Sequence, residues 1–400
     1  MTELDRQLTL AVSHAYEKAT AFRAIMDNAG LTPADIQTVA DLPRIPITSK
    51  DALIHMQQEN PPFGGWLAVP VTQLQRIFFS PGPLYDPQGI YDETAAEAAR
   101  QAFAALGLGL GDIALNTFLY HMVPAGLLLD EALRLLGVTV VPIGPGNSDL
   151  TLMVMMTLKA NVFVGTPSFL DSIYSKALQM NMPPSALPLK KAFFTAEPYP
   201  AALREKFEGE YGLQTAQAYG TADLGLIGFE RPGRTGLYIP DNLIVEIVDP
   251  ENGRVLPDGE LGEVIVTTFS RTYPLIRLGT GDLSIMEPDE AGERRLRGLY
   301  GRSGEAIKVR GMFLHPNQIK LVASAFPAIQ LMTAVVTRLE TQDVLAIHIQ
   351  LAEGQEDVDR DKLSADVRAA VRQQAGLRVD TVEFVSEIDP GKRLVRDERH

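Results

Sequence analysis

Cysteine is absent from all 400 residues. That excludes a disulfide framework, a thiolate zinc site, an iron–sulfur cluster and a catalytic thiol. Positive charge is also short: 36 Lys and Arg stand against 50 Asp and Glu, for a net charge of −14. Such a balance argues against a nucleic-acid partner or an anionic membrane surface, both of which select basic faces. No apolar run reaches the roughly 18 residues a membrane span needs; the most apolar stretch, 123–143, is broken by Asp130, Glu131 and Arg134. Residues Met1 to Arg6 lack the basic-then-apolar order of a secretion signal, so a cytoplasmic location is expected. Several common motifs are missing too: the G-x-x-x-x-G-K-[ST] phosphate loop, H-E-x-x-H and G-x-S-x-G. The six histidines show no metal-ligand spacing.

What is present is an ordinary globular mixture, 46% apolar and 22% charged, long enough for two to three domains. The pattern predicts a first helix over 4–28, then a Thr32-Pro33 helix start and a proline-rich stretch over 43–87. From Asp92, read as a helix cap, strands and helices alternate. Strands are expected at 113–118, 138–143, 162–165, 191–195 and 214–219. Helices are expected at 92–106, 126–136, 148–159, 167–180 and 200–211. Strands separated by helices of this length imply right-handed βαβ units and a parallel sheet. Gly107, Gly109 and Gly111 follow a helix rather than a strand and read as a helix stop. After Gly220 come short β runs at 243–248, 262–268, 275–278 and 283–286, separated by Gly, Asp and Pro, which suggest a barrel-like subdomain over about 221–300. From 303 a small α+β pattern follows, with strands at 332–338, 344–351 and 381–388 and helices at 316–326 and 357–374. The expected architecture is α/β: a large N-terminal domain, 1–302, of parallel βαβ sheet plus a β-barrel-like subdomain, and a small C-terminal α+β domain, 303–400.

Four segments stand out for chemistry. Tyr219-Gly-Thr-Ala-Asp223 ends a predicted parallel strand, where open α/β sheets bind ligands. Arg277-Leu-Gly-Thr-Gly-Asp282-Leu places an Asp in a tight Gly turn, and a carboxylate there can accept two ribose hydroxyls. Gly301-Arg302-Ser-Gly304-Glu-Ala-Ile-Lys308-Val-Arg-Gly311 lies at the expected domain boundary. Gly391-Lys392-Arg393 lies near the C-terminus. Taken singly, these are also what a turn, a turn, a linker and a solvated tail look like.

In that order the four segments resemble the adenylate-forming superfamily of acyl- and aryl-CoA ligases, in particular its phenylacetate–CoA ligase branch. Ala196-Glu197-Pro198-Tyr199 is similar to that branch's Ala-Glu-Pro-Trp segment, and residues 309–319 to its Val-Arg-Gly-x-Asn-Val-Phe-Pro-x-Gln-Ile run. The resemblance covers essentially the whole chain. It implies ATP-dependent activation of an aromatic or hydrophobic carboxylic acid to an acyl-adenylate, followed by transfer to coenzyme A, with ATP, Mg2+ and CoA as cofactors and a homodimer as the assembly. Carried over by motif position, Asp282 would hold the ribose hydroxyls, and Arg302 would lie beside ribose and α-phosphate. Tyr219 and Gly220 would line the adenine slot, with Ala196, Glu197 and Pro198 on its other side. Thr221 would touch the α-phosphate. Asp223 would bind magnesium where the family has Glu, Lys308 would join the cofactor-binding set, and Lys392 would bridge carboxylate and α-phosphate during adenylation. Tyr120 and His121 lie near the family's acid-binding aromatic gate and, with Phe118, imply a partly aromatic wall. Gly304 falls at the family's domain hinge.

One segment departs. Where the family has a flexible Ser/Thr/Gly-rich loop with a lysine, this chain has Ser80-Pro-Gly-Pro-Leu-Tyr-Asp86-Pro-Gln-Gly89. Its prolines remove N–H donors, no lysine is present, and Asp86 adds negative charge. Two alternatives therefore stay open: an AMP- or acyl-adenylate-binding homologue that has lost adenylation, and an adenylyl or acyl transferase with a non-CoA acceptor. The charge is uneven along the chain. Residues 294–310 carry a net +5 and residues 391–400 a net +2, which leaves −21 for the remainder. Those basic segments suit a small phosphorylated ligand at a domain interface.

Overall fold

The computed structural model describes residues 2–80, 84–90, 94–305, 307–310, 312–339, 342–355, 357–389, 391 and 393–399. The expected cap Asp92 and the lysine Lys392 lie outside them. Two compact units emerge. One comprises Met1–Val245, Ile265–Thr280 and Asp289–Leu296; the other comprises Glu246–Val264, Gly281–Pro288 and Arg297–His400. Among the described residues, no helix is long and apolar enough to cross a membrane.

The first unit is built on the expected parallel sheet. Strand Ile113–Asn116 lies between Thr139–Val141 and Val162–Gly165, all parallel. Lys191–Phe194 and then Gln214–Thr221 extend it, again parallel. Alternation with period two sends side chains to two separate cores. Val162, Val164 and Phe193 enter one, with residues of helices Thr94–Ala105 and Ala125–Leu135. Phe163, Ala192 and Phe194 enter the other, with residues of helices Ser148–Leu158 and Pro167–Gln179. All four residues of Val162–Gly165 are buried, as a strand covered on both faces requires. Side-chain caps start the covering helices: Asn147 accepts from the Leu150 N–H at 2.9 Å and Thr166 from the Phe169 N–H at 3.3 Å.

The second unit contains a four-stranded sheet in the order Thr381–Phe384, Gln342–Leu351, Ile329–Leu339, Val395–Asp397. Its central pair is antiparallel and both outer pairs are parallel. Ile319 and Val322 of helix Pro316–Ser324, and Leu363, Val367 and Val371 of helix Arg360–Ala375, are buried in the same core as the sheet. The chain is thus a mixed α/β protein with a large parallel-rich sheet and a separate small C-terminal sheet.

Three local expectations are corrected. The first helix is two, Glu3–Lys18 and Thr20–Asn28, parted at the extended residue Ala19. A tertiary contact accounts for the break: the Ala21 N–H donates to the Gly65 carbonyl at 3.0 Å while Phe22 packs on Trp66. The helix over 200–211 becomes a short α turn, Ala201–Arg204, followed by a π-helical stretch, Glu205–Glu210. The runs 275–278 and 283–286 are not separate strands around a turn. A single strand, Leu278–Pro288, passes through Asp282. Gly281 absorbs the irregularity with φ +74° and turns its N–H to the Glu263 carboxylate at 3.0 Å. Strands Gly225–Phe229 and Arg294–Arg302 were not expected at all.

Phe193 is fully buried and meets Phe103 edge-on at 4.8 Å between ring centres. Phe193→Ala is expected to destabilise the first unit by about 3–5 kcal/mol, read from urea unfolding.

Candidate active site

The site is assembled from strand ends. Strand Gln214–Thr221 runs parallel to its neighbour through Gln217, then pairs antiparallel with Gly225–Phe229 from Ala218 to Thr221. The tight return forces the backbones together. A Cβ on Gly220 would lie 2.5 Å from the Gly225 carbonyl oxygen, so only glycine fits. The turn presents Asp223, whose side chain is 5% exposed. Its carboxylate accepts from the Lys50 ammonium at 2.9 Å, and the Thr221 hydroxyl reaches its other oxygen at 3.4 Å. Lys50 opens helix Lys50–Glu59, whose N-cap Ser49 accepts from the Ala52 N–H. The preceding pair, Thr48 and Ser49, is anchored by parallel bridges to Leu278 and Gly279.

Beside this turn lies a cavity of ≈ 440 Å³, bounded by Phe118, Leu119, Pro124, Leu128, Phe169 and Leu226, with Thr117, Thr166, Thr195 and Thr221 as its polar lining. Among the described residues, no charged side chain lines it. Ala196, Gly220 and Ala222 close the side next to the strand ends. Ala196 adopts φ +72°, a left-handed conformation that costs a non-glycine residue roughly 1–2 kcal/mol and turns the chain out of the strand.

The sequence-selected residues divide by place. Gly220, Thr221, Asp223 and Ala196 converge at the strand ends of the first unit. Tyr219 is buried within its strand and its side chain does not line the cavity. Glu197 is turned to a neighbouring helix: its carboxylate accepts from the Ser168 N–H at 2.6 Å, in the first turn of Pro167–Gln179. The adjoining Pro198 is exposed. Tyr120 and His121 do not line the cavity; Phe118 and Leu119 do. The Tyr120 hydroxyl donates to Asp130 at 2.9 Å and accepts from the Asn116 amide at 2.8 Å, and burial followed by the Asp130 carboxylate holds its pKa well above the usual tyrosine value. His121 is exposed.

In the second unit Asp282 pairs with the Arg302 guanidinium at 3.2 Å, Arg302 being 61% exposed. Gly281 again needs its positive φ here, and a Cβ on it would lie 3.1 Å from that guanidinium. Burial raises the Glu263 pKa, and the Asp282 carboxylate adds to the rise against the opposing Gly281 N–H and Arg302. Lys308 sits in strand Ile307–Val309, with its side chain outside what is described. Gly304 is exposed in a 3-10 turn, Ser303–Glu305, where an added Cβ would meet nothing within 4 Å.

Sequence reasoning missed Lys50, Gln57 and the role of Glu263. One signal for Lys50 was available. A lysine at the first position of a helix sits where the macrodipole favours anions, and Ser49 before it marks that helix start.

Mg2+ is held by few protein carboxylates plus substrate phosphates rather than by an all-protein cage. Among the described residues there is no cluster of three or more His, Asp or Glu that would hold a metal. A single buried carboxylate, Asp223, with a hydroxyl beside it, fits that donor set.

Comparison with known proteins agrees with this geometry. A family model described as AMP-binding enzyme matches residues 102–270. The phenylacetate-coenzyme A ligase of Aromatoleum evansii is 31% identical over 329 residues, covering 80% of this chain and 73% of that protein. The enzyme of the same name from Thermus thermophilus is 28% identical over 397 residues, covering 94% and 88%. Among solved structures, an open conformation of 2-hydroxyisobutyryl-CoA ligase in complex with 2-HIB-AMP and CoA shares the fold. Its TM-score is 0.85 at 23% identity, covering 98% of this chain and 90% of that one.

The raised Glu263 pKa has a thermodynamic sign. An acid whose folded pKa lies above its unfolded value contributes stability below the unfolded pKa, and that contribution is lost as pH rises through the folded one. Glu263→Gln keeps the oxygen that accepts from Gly281 and removes the charge. The variant should melt at a higher temperature than the native protein at pH 8, with the gap closing below about pH 4 in calorimetric scans.

Proposed function

The chain belongs to the phenylacetate–coenzyme A ligase family of AMP-binding, adenylate-forming enzymes, and from that premise we propose that it is an AMP-forming acid–thiol ligase that uses ATP, Mg2+ and coenzyme A. A carboxylate oxygen of the acid attacks the α-phosphorus of ATP, pyrophosphate leaves, and an acyl-adenylate results. The CoA sulfur then attacks the acyl carbon, gives up its proton and displaces AMP. Both nucleophiles come from substrates, so the protein has to position them and stabilise charge. A chain without cysteine suits that division of labour.

The observation that carries the reading of the acid is the uncharged cavity of ≈ 440 Å³ beside Thr221 and Ala222. Burying a second charged group against Phe118, Leu128, Phe169 and Leu226 would leave it unpaired, which is costly. The substrate we propose is an aromatic acid with no further charge, as the name phenylacetate gives for the relatives. Two rings, Phe118 and Phe169, offer its acyl group aromatic faces and edges.

Roles follow by motif. Asp223 would hold Mg2+, which when bound offsets phosphate charge, and Thr221 would donate to the α-phosphate. Tyr219, Gly220, Ala196 and Pro198 shape the adenine slot through backbone and ring surfaces, and Glu197 fixes that turn through Ser168. Asp282 takes the ribose hydroxyls, and Arg302 and Lys308 the adjacent phosphate. Lys392 stabilises charge at the α-phosphorus during adenylation. Tyr120 ties Asn116 to Asp130, and neither it nor His121 lines the cavity. In the same reading the chain turns at Gly304 between a large part, 1–302, and a small part, 303–400, that changes place between half-reactions. A homodimer in the cytoplasm completes the proposal. Loss of adenylation, or a non-CoA acceptor, is not favoured by the family relationship.

Acid-dependent exchange of pyrophosphate into ATP tests the reading. Aromatic monocarboxylates should support it and dicarboxylates should not; no exchange with any acid would sink it. Leu119 is 39% exposed and lines the cavity, so Leu119→Glu should leave the fold intact. It should raise the KM for the acid about tenfold or more while the KM for ATP changes less than about twofold. Lys392→Ala should cut exchange about 100-fold or more and spare thioester formation from supplied acyl-adenylate; equal loss of both half-reactions would reassign that lysine.

A further inference from the structure

The hairpin Leu74–Ser80 to Leu84–Gly89 occupies the chain position where the family's phosphate loop is expected, and it has no lysine. We propose that Lys50 supplies the missing cation: it is a phosphate-binding residue, paired with Asp223 in the free protein and turned onto the ATP polyphosphate when nucleotide binds. This assignment rests on the ligase reading above.

Three observations carry it. Lys50 opens its helix at the end where a cation is disfavoured by the backbone dipole, and it is held there by the nearly buried Asp223 at 2.9 Å. Its side chain is 27% exposed, so the ammonium is not sealed in. Next, the same helix face grips the hairpin. Gln57 lies seven residues on, two turns along, and is buried. Its amide donates to the Tyr85 carbonyl at 2.7 Å and to the Tyr273 hydroxyl at 2.8 Å, and its oxygen accepts from the Tyr85 N–H at 2.8 Å. One rigid element therefore sets both the hairpin and the lysine relative to the strand-end acid. Finally, a small cavity, ≈ 80 Å³, lies between hairpin and strand end, lined by Asp86 and Gln88 on one side and by Asp223 and Gly225 on the other, with Ser270 and Tyr273. Two carboxylates face that space, and a polyphosphate entering it would be repelled by both. Asp223 serving as a metal ligand no longer needs the ammonium. The four-carbon lysine stem then lets the charge swing to phosphate oxygens without moving the helix.

Isothermal calorimetry tests this with MgATP and AMP as probes. Lys50→Met should weaken MgATP binding about tenfold or more and AMP binding less than about threefold, and Lys50→Arg should recover most of the loss. Unchanged MgATP affinity, or equal loss for AMP, overturns the assignment. Because Lys50→Met leaves Asp223 buried without its partner, the same comparison is made between Asp223→Asn and the double variant Lys50→Met/Asp223→Asn, where no such charge remains. A further tenfold loss in the double variant supports the proposal, and equal affinities overturn it. Lys50-dependent MgATP binding without acid-dependent exchange overturns the ligase reading and leaves this assignment standing. Normal exchange with Lys50-independent binding does the reverse, and no MgATP binding by the native chain overturns both.

Discussion

Burial of the parallel strands on both faces is the constraint from which the first unit follows. Val162 to Gly165 has no solvent-facing side chain, so neither face of the sheet can hold chemistry there. Polar function is pushed to the strand ends, where backbone groups leave the ladder and helices begin. Thr195 and Ala196 leave one strand, Thr166 caps the helix after another, and Thr221 to Asp223 turn out of a third. The same constraint makes the neighbouring cavity apolar, since the side chains reaching it come from core-facing helices and loops.

An ion pair at such a place contributes little net stability. Desolvating Asp223 and Lys50 costs several kcal/mol per ion before their attraction is counted, and a hydrophobic pair of similar volume is often as stable. Its place at a strand end, where the backbone leaves the ladder, is what the proposed binding role draws on. Asp282 and Arg302 make a different case: the guanidinium is largely open to solvent while the carboxylate is mostly covered, and a pair with one exposed partner contributes little to folding.

Much of this was legible along the chain, for physical reasons. The strands at 162–165 and 191–194 are short, mostly apolar runs between helices, a pattern that depends on neighbours in sequence. The order of the motifs around Tyr219, Asp282 and Arg302 identified the family before any geometry. Features that depend on distant residues were not legible. The break at Ala19 is set by Gly65. Asp282 read as a turn because Gly281 flanks it, yet the ladder continues past that glycine. Lys50 and Asp223 are 173 residues apart, and no local pattern joins them. The family resemblance put Tyr120 and His121 near a pocket wall, but Asn116 and Asp130 engage the Tyr120 hydroxyl, and Phe118 and Leu119 line the cavity instead.

With the acid bound as proposed, the apolar cavity also sets which substrates can be told apart. A pocket of hydrocarbon walls discriminates one methylene by only about 1–3 kcal/mol, some 10- to 200-fold. An added charge would meet no charged partner among the described lining residues and would be rejected far more strongly. Selectivity of such a pocket is steep in polarity and shallow in length, so acids of similar shape would compete with one another according to their relative concentrations.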